Sequence, residues 1–330
     1  MLKNSSLKKI QNKKNLLAFS AGVDSSALFF ILLQNNISFD IAIVNYNTRE
    51  QSQEEVAYAK ELASTYNLKC HLLNAYKIDK NFEAHAREIR YNFFEELINE
   101  YSYESLITAH HLGDRFEWML MQFCKGAGCV ELAGMQEVTS RDNYTLLRPL
   151  LHLDKQELLS FLKQNRIKYF EDETNFDEDI KRNSFRHNYA SPLLNKYLGG
   201  IKKSFDYLDE DRTSLIQEID LKTLGEFAYF KSSQNSRNDI FIIDKYLKSQ
   251  NHMLSASERE LLKSEKSLIV GRRFIINQEH GFIFIAPFTK SEKLSKEFKE
   301  KMRLLKIEPK LRGYLSQNEN ALKLITQLLS

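Results

Sequence analysis

The sequence predicts an α/β protein built around a doubly wound parallel sheet, and three observations support this fold class. Short apolar, β-rich runs alternate with helical stretches through the first half of the chain. Those stretches are long enough for the crossover helices that parallel strands require. The second half changes to mainly helical spacing and contains one clear pair of strand-like runs. We therefore expect a parallel sheet, a helical middle region and a small C-terminal α+β module.

The elements of the first half follow from the periodicity of the apolar residues. Strands are predicted at NLLAF, FDIAIVNY, KCHLLNAY, SLITA and TLLRPLL, which cover 15–19, 39–46, 69–76, 105–109 and 145–151. Helices are predicted at 25–35, 52–66, 82–101, 112–123 and 155–165. Asp154 is the expected N-cap of the last helix.

Gly199-Gly200 is the clearest break in the second half, because the chain has only eleven glycines. Helical spacing is expected beyond it to about residue 250. The run GRRFIINQEHGFIFIAP, at 271–287, predicts two strands that turn near His280 and Gly281. The predicted domains are a nucleotide-binding domain with trailing helices at 1–198, a helical region at 199–250 and a small domain at 251–330.

The composition is typical of a globular protein with a packed core, since 42% of the residues are hydrophobic and 28% are charged. No apolar run approaches the ~18 residues that span a membrane. Three cysteines without a disulfide framework suit a reducing compartment. We expect a soluble, cytoplasmic protein without a membrane partner. The net charge of +3 is too small to indicate nucleic-acid binding by itself.

A candidate phosphate loop lies between the first strand and the first helix. Its residues are Ser20, Ala21, Gly22, Val23, Asp24 and Ser25. Helix N-termini bind anions, and Gly22 would let the backbone approach a phosphate closely. Asp24 would repel a bare anion, which favours a Mg²⁺ ion between this carboxylate and the phosphates. The Walker A and dinucleotide patterns are absent; an ordinary capped turn is the alternative.

A second candidate is the charged stripe at the start of the helix predicted at 82–101. Glu83, Arg87 and Arg90 share one face through their i, i+4 and i+7 spacing. Helix N-termini of a parallel α/β layer lie at the carboxyl ends of the strands, where ligands bind. We therefore expect this stripe to face the site. A surface ion pair worth ~0.3–0.5 kcal/mol is the alternative.

A third candidate is the histidine pair at the end of the fourth strand. His110 and His111 precede a helix that carries Asp114 and Glu117. Imidazoles beside carboxylates can orient a nucleophile, move a proton or bind a metal. Zinc is disfavoured because the nearest cysteines lack tetrahedral ligand spacing. A flexible connection is expected next, from Gly126, Gly128 and Gly134.

A fourth candidate is a cationic cluster made by Arg182, Asn183 and Arg186. Two guanidinium groups and an amide at helical spacing suit phosphates or base edges. An acidic turn at 172–175 precedes them. A capped helix with a charged outer face is the alternative.

Together these segments resemble the tRNA(Ile)-lysidine synthetase family of the N-type ATP pyrophosphatase (PP-loop) superfamily. The family pattern begins with S-G-G-x-D-S and an arginine after the second strand, here Arg49. It continues with N-x-E-A-x-A-R-x-x-R-Y-x-F-F, A-H-H-x-D-D-Q-x-E-T, a glycine-rich stretch, R-P-L and R-N-x-x-R. These motifs occur in order over about residues 15–195, and the C-terminal third fits more weakly.

The sequence departs from the family pattern at four motif residues and at the usual D-H-G-L-R-type turn, which here reads Asn45-Tyr46-Asn47-Thr48-Arg49. Ala21 stands where the family has glycine, Gly113 replaces the first of two aspartates, Arg115 replaces glutamine and Trp118 replaces threonine. Alanine disfavours a positive φ at position 21. Asp114 must also act without a neighbouring carboxylate.

The resemblance implies an adenine nucleotide α hydrolase-like fold and ligation of free L-lysine to C2 of the wobble cytidine in tRNA(Ile) with a CAU anticodon. ATP first adenylates the cytidine, and AMP and pyrophosphate are released. ATP and Mg²⁺ are the implied cofactors, with the phosphate loop on ATP and Asp24 on the metal. The implied catalytic residues are Asp24, His110, Asp114 and Arg87. The implied substrate and tRNA residues are Arg49, Glu83, Arg90, Arg182, Asn183 and Arg186.

The region 199–250 is the expected tRNA-binding linker, and the sequence is compatible with a homodimer without fixing the oligomeric state. Two alternatives remain at this point. One is another PP-loop tRNA-modifying enzyme, thiolase-like or glutamine-dependent, although only Cys124 and Cys129 could supply paired cysteines. The other is a non-catalytic nucleotide- or RNA-binding relative, which would bind ATP without releasing AMP.

Overall fold

The computed structural model describes residues 1–47, 51–76, 78, 82–171, 181–216, 219–290 and 294–329. The chain forms two compact units, Met1–Arg212 and Thr213–Ser330. The first contains a six-stranded sheet and the second a five-stranded sheet. The division into three functional parts, with boundaries at 198 and 250, stays a prediction.

The first unit contains every strand and helix predicted up to residue 165, with small differences at their ends. Its strands are β1 (Asn15–Ala18), β2 (Phe39–Asn45), β3 (Cys70–Asn74), β4 (Ser105–Ile107), β5 (Val138–Ser140) and β6 (Thr145–Leu147). Its helices are α1 (Asn4–Ile10), α2 (Val23–Gln34), α3 (Gln51–Thr65), α4 (Phe82–Tyr101), α5 (Leu112–Phe123), α6 (Cys129–Leu132), α7 (Lys155–Gln164), α8 (Lys181–Phe185) and α9 (Ser191–Leu215). A π-helical turn, Arg186–Ala190, joins α8 to α9.

The six-stranded sheet confirms the doubly wound prediction. Its strand order is β3-β2-β1-β4-β6-β5, and only β5 runs antiparallel to its neighbour. The winding reverses between β1 and β4, which creates the crevice at the carboxyl ends of the strands where such sheets bind ligands.

Both faces of this sheet are covered by helices, because successive side chains on each strand point to opposite sides. Leu17 and Ile107 pack in the core formed with α2, α3 and α7. Leu16 and Leu106 pack in the core formed with α4. All four side chains are fully buried, so the strands that carry the site are held on both faces.

The predicted break at Gly199-Gly200 is wrong, because α9 continues through both glycines. Its inner face packs Leu198, Ile201 and Phe205 against α5. This tertiary packing outweighs the ~1 kcal/mol that each glycine costs in a helix. The backbone leaves helical geometry only at Tyr197, where φ is −128° and ψ is 25°.

The second unit is an antiparallel sheet of order β7-β8-β11-β10-β9 with helices on both faces. Its strands are β7 (Lys222–Leu224), β8 (Phe227–Lys231), β9 (Ser267–Val270), β10 (Phe274–Glu279) and β11 (Phe282–Pro287). Its helices are α10 (Ser236–Ser249), α11 (Ala256–Ser264), α12 (Lys296–Leu304), α13 (Pro309–Gln317) and α14 (Glu319–Leu329). The hairpin predicted near His280 and Gly281 is confirmed by β10 and β11.

Strands β7 and β8 correct the prediction of helical structure up to about residue 250. Phe227 packs on one face of the sheet, while Ala228 and Phe230 pack on the other. A strand buried on both faces is a continuous apolar run, and periodicity cannot distinguish such a run from a buried helix.

Across the described ranges of both units, no helix is both long enough and apolar enough to cross a membrane.

Candidate functional site

The candidate site lies where the segments that follow β1 and β4 begin at the same edge of the sheet. Leu17 of β1 pairs with Ile107 of β4 in parallel register. The phosphate loop follows β1, and the histidine pair follows β4. As a result, His111 Nε2 lies 3.8 Å from Asp24 Oδ2, although the two residues are far apart in sequence.

Serine hydroxyls brace the phosphate loop. Ser20 Oγ lies 3.1 Å from Ser25 Oγ, and the Ser20 N–H donates to Ser25 Oγ at 3.2 Å. Ser25 Oγ in turn donates to the carbonyl of Gly22 at 3.2 Å. The loop therefore ends at the N-terminus of α2, whose first N–H groups have no partner within the helix and favour an anion.

The fold does not require a glycine at position 22. Its φ of −75° suits any residue. The nearest atom to a Cβ built there would be Ser20 Oγ, at 3.5 Å, which is an ordinary contact. The missing side chain instead leaves open space beside the start of α2, as close approach of a phosphate would need.

Ala21 adopts the left-handed conformation that its residue type disfavours, with φ at 59°. Backbone strain of this kind costs about 1 kcal/mol or more and persists only where the surroundings enforce it. Ala21 is fully buried, and its carbonyl accepts a hydrogen bond from the Phe170 N–H at 2.9 Å. This departure from the family pattern therefore preserves a glycine-like loop conformation.

Asp24 carries an uncompensated oxygen. Its Oδ1 has no solvent exposure and no hydrogen-bond partner within the part of the chain that the structure describes. Burial raises the pKa of Asp24 above its usual range, although His111 opposes the shift. A bound cation would reverse this penalty, so the carboxylate fits a metal that also contacts a phosphate.

His111 caps α5 and bridges two carboxylates. Its ring Nδ1 accepts the Gly113 backbone N–H at 3.0 Å, while the backbone N–H of His111 donates to Asp114 Oδ2 at 3.0 Å. In the neutral ring this bonding assigns the proton to Nε2. That nitrogen lies 3.6 Å from Asp114 Oδ2 and 3.8 Å from Asp24 Oδ2. His111 thus acts as a positioning residue between the phosphate loop and α5.

Gly113 leaves the room that the His111 ring occupies. A Cβ built at position 113 would lie 2.6 Å from His111 Cε1 and 3.0 Å from Nδ1. The first distance is too short for a real contact, so any side chain at position 113 would displace the imidazole. Glycine, where the family pattern has aspartate, therefore leaves space for His111 in this position.

Gly113→Ala is expected to lower kcat about 10- to 100-fold, the usual cost of losing a residue that positions a site. The free energy of unfolding should change by less than about 1 kcal/mol, because the displaced ring ends a rotatable side chain while alanine restricts the unfolded chain. Steady-state kinetics and denaturant unfolding measure both effects.

The matched controls for this prediction are His111→Ala and the double variant. If Gly113 acts through His111, the double variant should be no slower than His111→Ala alone. Additive losses of activity would contradict this coupling.

Burial holds His110 in its neutral form. Its Nδ1 lies 2.9 Å from Thr108 Oγ1. Burial lowers the pKa of His110 to about 4, with Arg148 and Arg182 acting in the same direction and Asp114 opposing. At neutral pH the imidazole is therefore neutral and can accept a hydrogen bond, although a pKa this low makes it a weak base.

A four-membered ion cluster completes the centre. Arg182 Nη2 donates to Asp114 Oδ1 at 2.6 Å, and its Nε donates to Glu117 Oε2 at 3.1 Å. Arg186 donates to both oxygens of Glu117, at 2.6 and 3.2 Å. Burial alone would raise the pKa of Asp114, but His111 and Arg182 hold it well below its usual range. Asp114 is therefore ionised at neutral pH.

Glu117 has contacts in the centre that its sequence motif does not predict. Only 3% of its side chain is exposed, and it meets both guanidinium groups. Its position in the motif that contains His111 and Asp114 is the sequence signal that points to a role in the site. Arg186 opens the π-helical turn, a distortion that often occurs at functional sites.

The other predicted residues are less closely associated with the centre formed by His111 and Asp114. Arg87 is exposed on α4, with its guanidinium 4.7 Å from the Tyr91 ring centre, and it contributes to lowering the pKa of His110. Arg90 donates to the carbonyl of Ala86 at 3.3 Å. Glu83 is exposed in the first turn of α4. The remaining two predicted residues are Asn183, which is buried in α8, and Arg49, which lies outside the described residues.

Two departures from the family pattern take different positions on α5. Arg115 is 5% exposed, donates twice to the Ala133 carbonyl and forms an ion pair with Asp209 of α9. Its guanidinium also stacks 4.4 Å from the Phe205 ring centre. Trp118, by contrast, is 46% exposed.

Within the described ranges, no group of three or more histidine, cysteine, aspartate or glutamate side chains could hold a metal ion. A Mg²⁺ ion typically binds one or two carboxylates and completes its shell with water and substrate phosphates. The lone Asp24 carboxylate at a phosphate loop fits that donor set.

A family model described as the PP-loop domain matches residues 2–193. The tRNA(Ile)-lysidine synthase of Helicobacter pylori strain 26695 is 44% identical over 312 residues, which cover 94% of this chain and 91% of the relative. That of Campylobacter jejuni strain RM1221 is 41% identical over 315 residues, covering 95% and 96%. That of Wolinella succinogenes is 41% identical over 307 residues, covering 93% and 94%.

Among solved structures, the U34-tRNA thiolase NcsA from Methanococcus maripaludis with its [4Fe-4S] cluster has a TM-score of 0.53. The similarity covers 65% of this chain and 79% of the thiolase, with 15% sequence identity. At that identity the similarity concerns the fold alone.

Proposed function

This chain belongs to the tRNA(Ile)-lysidine synthase family of PP-loop proteins, and on that premise we propose that it joins free L-lysine to C2 of the wobble cytidine in a CAU anticodon. Membership makes it an ATP-dependent ligase that modifies tRNA(Ile). In the proposed sequence, the C2 oxygen attacks the α-phosphorus of ATP and pyrophosphate leaves. The lysine amine then attacks C2, and AMP leaves with the oxygen.

The phosphate loop supports the first step. The N-terminus of α2 and the Ser20 and Ser25 hydroxyls would bind the ATP phosphates, with Gly22 allowing close approach. Asp24 would hold Mg²⁺ together with phosphate oxygens, since its Oδ1 is buried without a partner among the described residues. When bound, Mg²⁺ would offset negative charge on the phosphates.

The centre on α5 supports the second step. A lysine amine attacks only after it loses a proton, and the His110 imidazole, with its pKa lowered to about 4, is neutral but too weak a base to remove that proton. It would accept a hydrogen bond from the attacking amine, while the proton passes to solvent. The ionised Asp114 would attract and orient the ammonium form before it loses the proton. We propose both as catalytic residues, together with Arg87.

Arg182, Asn183 and Arg186 remain our candidates for tRNA contact, together with Arg49, Glu83 and Arg90. The arginines of α8 and the π-helical turn are ion-paired with Asp114 and Glu117. Incoming phosphates would therefore compete with two carboxylates for these guanidinium groups. A cytoplasmic location and a homodimer are parts of the same proposal, which rests here on family membership alone.

The observation that best supports this function is the proximity of the PP-loop Asp24 to His111 and Asp114 at the switch point of the sheet. The test incubates the protein with ATP, Mg²⁺, labelled lysine and tRNA(Ile) that carries a CAU anticodon. Labelled tRNA and one AMP per lysine incorporated are expected. Absence of both products would refute the proposal, and methionine tRNA serves as the substrate control.

A further inference from the structure

Trp118 presents a large apolar surface beside the centre. It is the single tryptophan of the chain and 46% exposed, whereas its neighbours Phe116 and Glu117 are buried. Trp118 follows Asp114 by four residues on α5, so both side chains lie on the same helical face. An exposed aromatic ring is the kind of side chain on which a nucleobase stacks.

The Trp118 indole packs against a backbone segment that hydrogen bonds hold in place. A Cβ built on Gly134 would lie 3.0 Å from Trp118 Cδ1, so a side chain at that position would crowd the ring. The preceding carbonyl, that of Ala133, accepts two hydrogen bonds from Arg115, at 3.0 and 2.7 Å. Arg115 is itself fixed by Asp209. This support preorganises the indole, which reduces the entropy lost when a ligand binds.

We propose that Trp118 is a stacking platform for a nucleobase next to the reacting cytidine in the anticodon loop, an inference that rests on the proposed function. Four residues of helix rise about 6 Å, which corresponds to about two stacked bases at ~3.4 Å each. The indole therefore lies within about two stacking steps of a cytidine that reacts beside Asp114, a range that includes the flanking bases. Stacking on an aromatic ring accepts any base, because every base has a π face.

The local charge is compatible with RNA at this position. The guanidinium groups of Arg182 and Arg186 balance the carboxylates of Asp114 and Glu117. The sugar–phosphate backbone therefore does not meet an uncompensated acidic cluster beside Trp118. A second copy of the chain is the competing occupant of this surface.

Because the chain has one tryptophan, intrinsic fluorescence reports on Trp118 directly. The probe is an unmodified CAU-anticodon stem-loop RNA, titrated into the full-length protein while anisotropy of a labelled copy records binding. Quenching should follow binding. A stem-loop with abasic sites on both sides of the wobble cytidine should bind more weakly and leave the emission unquenched.

Trp118→Ala should raise the KM for tRNA at least about five-fold, the lower end for one stacked base. The KM for ATP and the kcat at saturating tRNA should not change, and Trp118→Phe should restore most of the loss. The matched control is Phe123→Ala, because Phe123 is 65% exposed on the same helix. Circular dichroism of each variant verifies folding.

Three outcomes would overturn the proposal: RNA binding without quenching, an equal effect from Phe123→Ala, or quenching that depends on protein concentration without RNA. The last outcome would assign the surface to a second copy of the chain. Quenching without incorporation of lysine would retain the stacking platform and refute the proposed function. Incorporation of lysine without quenching would retain the proposed function and refute the stacking platform.

Discussion

Asp24→Asn is expected to lower kcat at least about 100-fold, the scale seen when one preorganised electrostatic group is removed. The substitution keeps the shape of the side chain but removes the charge that would hold Mg²⁺ at the ATP phosphates. The buried Oδ1 without a partner among the described residues and the raised pKa both suit a carboxylate that binds a cation. Release of AMP, measured against Mg²⁺ concentration, tests this expectation.

The binding of tRNA should be largely unchanged in Asp24→Asn, because the phosphate loop is assigned to ATP. The matched control is Asp142→Asn, which removes an exposed carboxylate in the segment between β5 and β6 and should leave turnover unchanged. Full activity of Asp24→Asn at ordinary Mg²⁺ concentrations would contradict the assigned role.

Glu117→Gln is expected to lower both stability and turnover. Breaking a buried ion pair by removing one partner costs about 3–5 kcal/mol. The low end applies here, since the Arg182 and Arg186 side chains retain 35% and 23% exposure and can be partly solvated. Denaturant unfolding should therefore show a loss of about 3 kcal/mol.

Turnover of the Glu117→Gln variant should fall at least about 10-fold. Arg182 and Arg186 lie 2.6 and 3.9 Å from Asp114, and both would lose the carboxylate that they share. The matched control is Glu96→Gln, which changes an exposed carboxylate on α4. A Glu117→Gln protein with unchanged midpoint and kcat would show that the ion cluster is dispensable.

Much of the first unit could be predicted from local sequence. The alternation of β-rich runs and helical stretches predicts β1 to β4, α2 to α5 and α7, because each of those elements has a clear apolar period. Residues 20–25 also carry their own signal, since small residues and hydroxyls between a strand and a helix suit a phosphate. The family motifs then identified the chemistry.

The predictions that were wrong share one cause. Helix α9 passes through Gly199-Gly200 because its inner face packs on α5. Strand β8 lies in a region predicted to be helical because both of its faces are buried. Ala21 adopts a positive φ because Phe170 and the surrounding core enforce it. In each case tertiary contacts outweigh a local preference of about 1 kcal/mol.

Most elements of the first unit, the phosphate loop and the family follow from the sequence alone, because each depends on residues that are near one another in the chain. The contacts of Glu117 with Arg182 and Arg186, 65 and 69 residues away, and the position of His111 between Asp24 and Asp114 depend on the tertiary structure. These contacts arise because β1 and β4 are neighbours in the sheet and α8 packs on α5. Local periodicity predicts a helix or a strand, but it does not predict which other element packs against it.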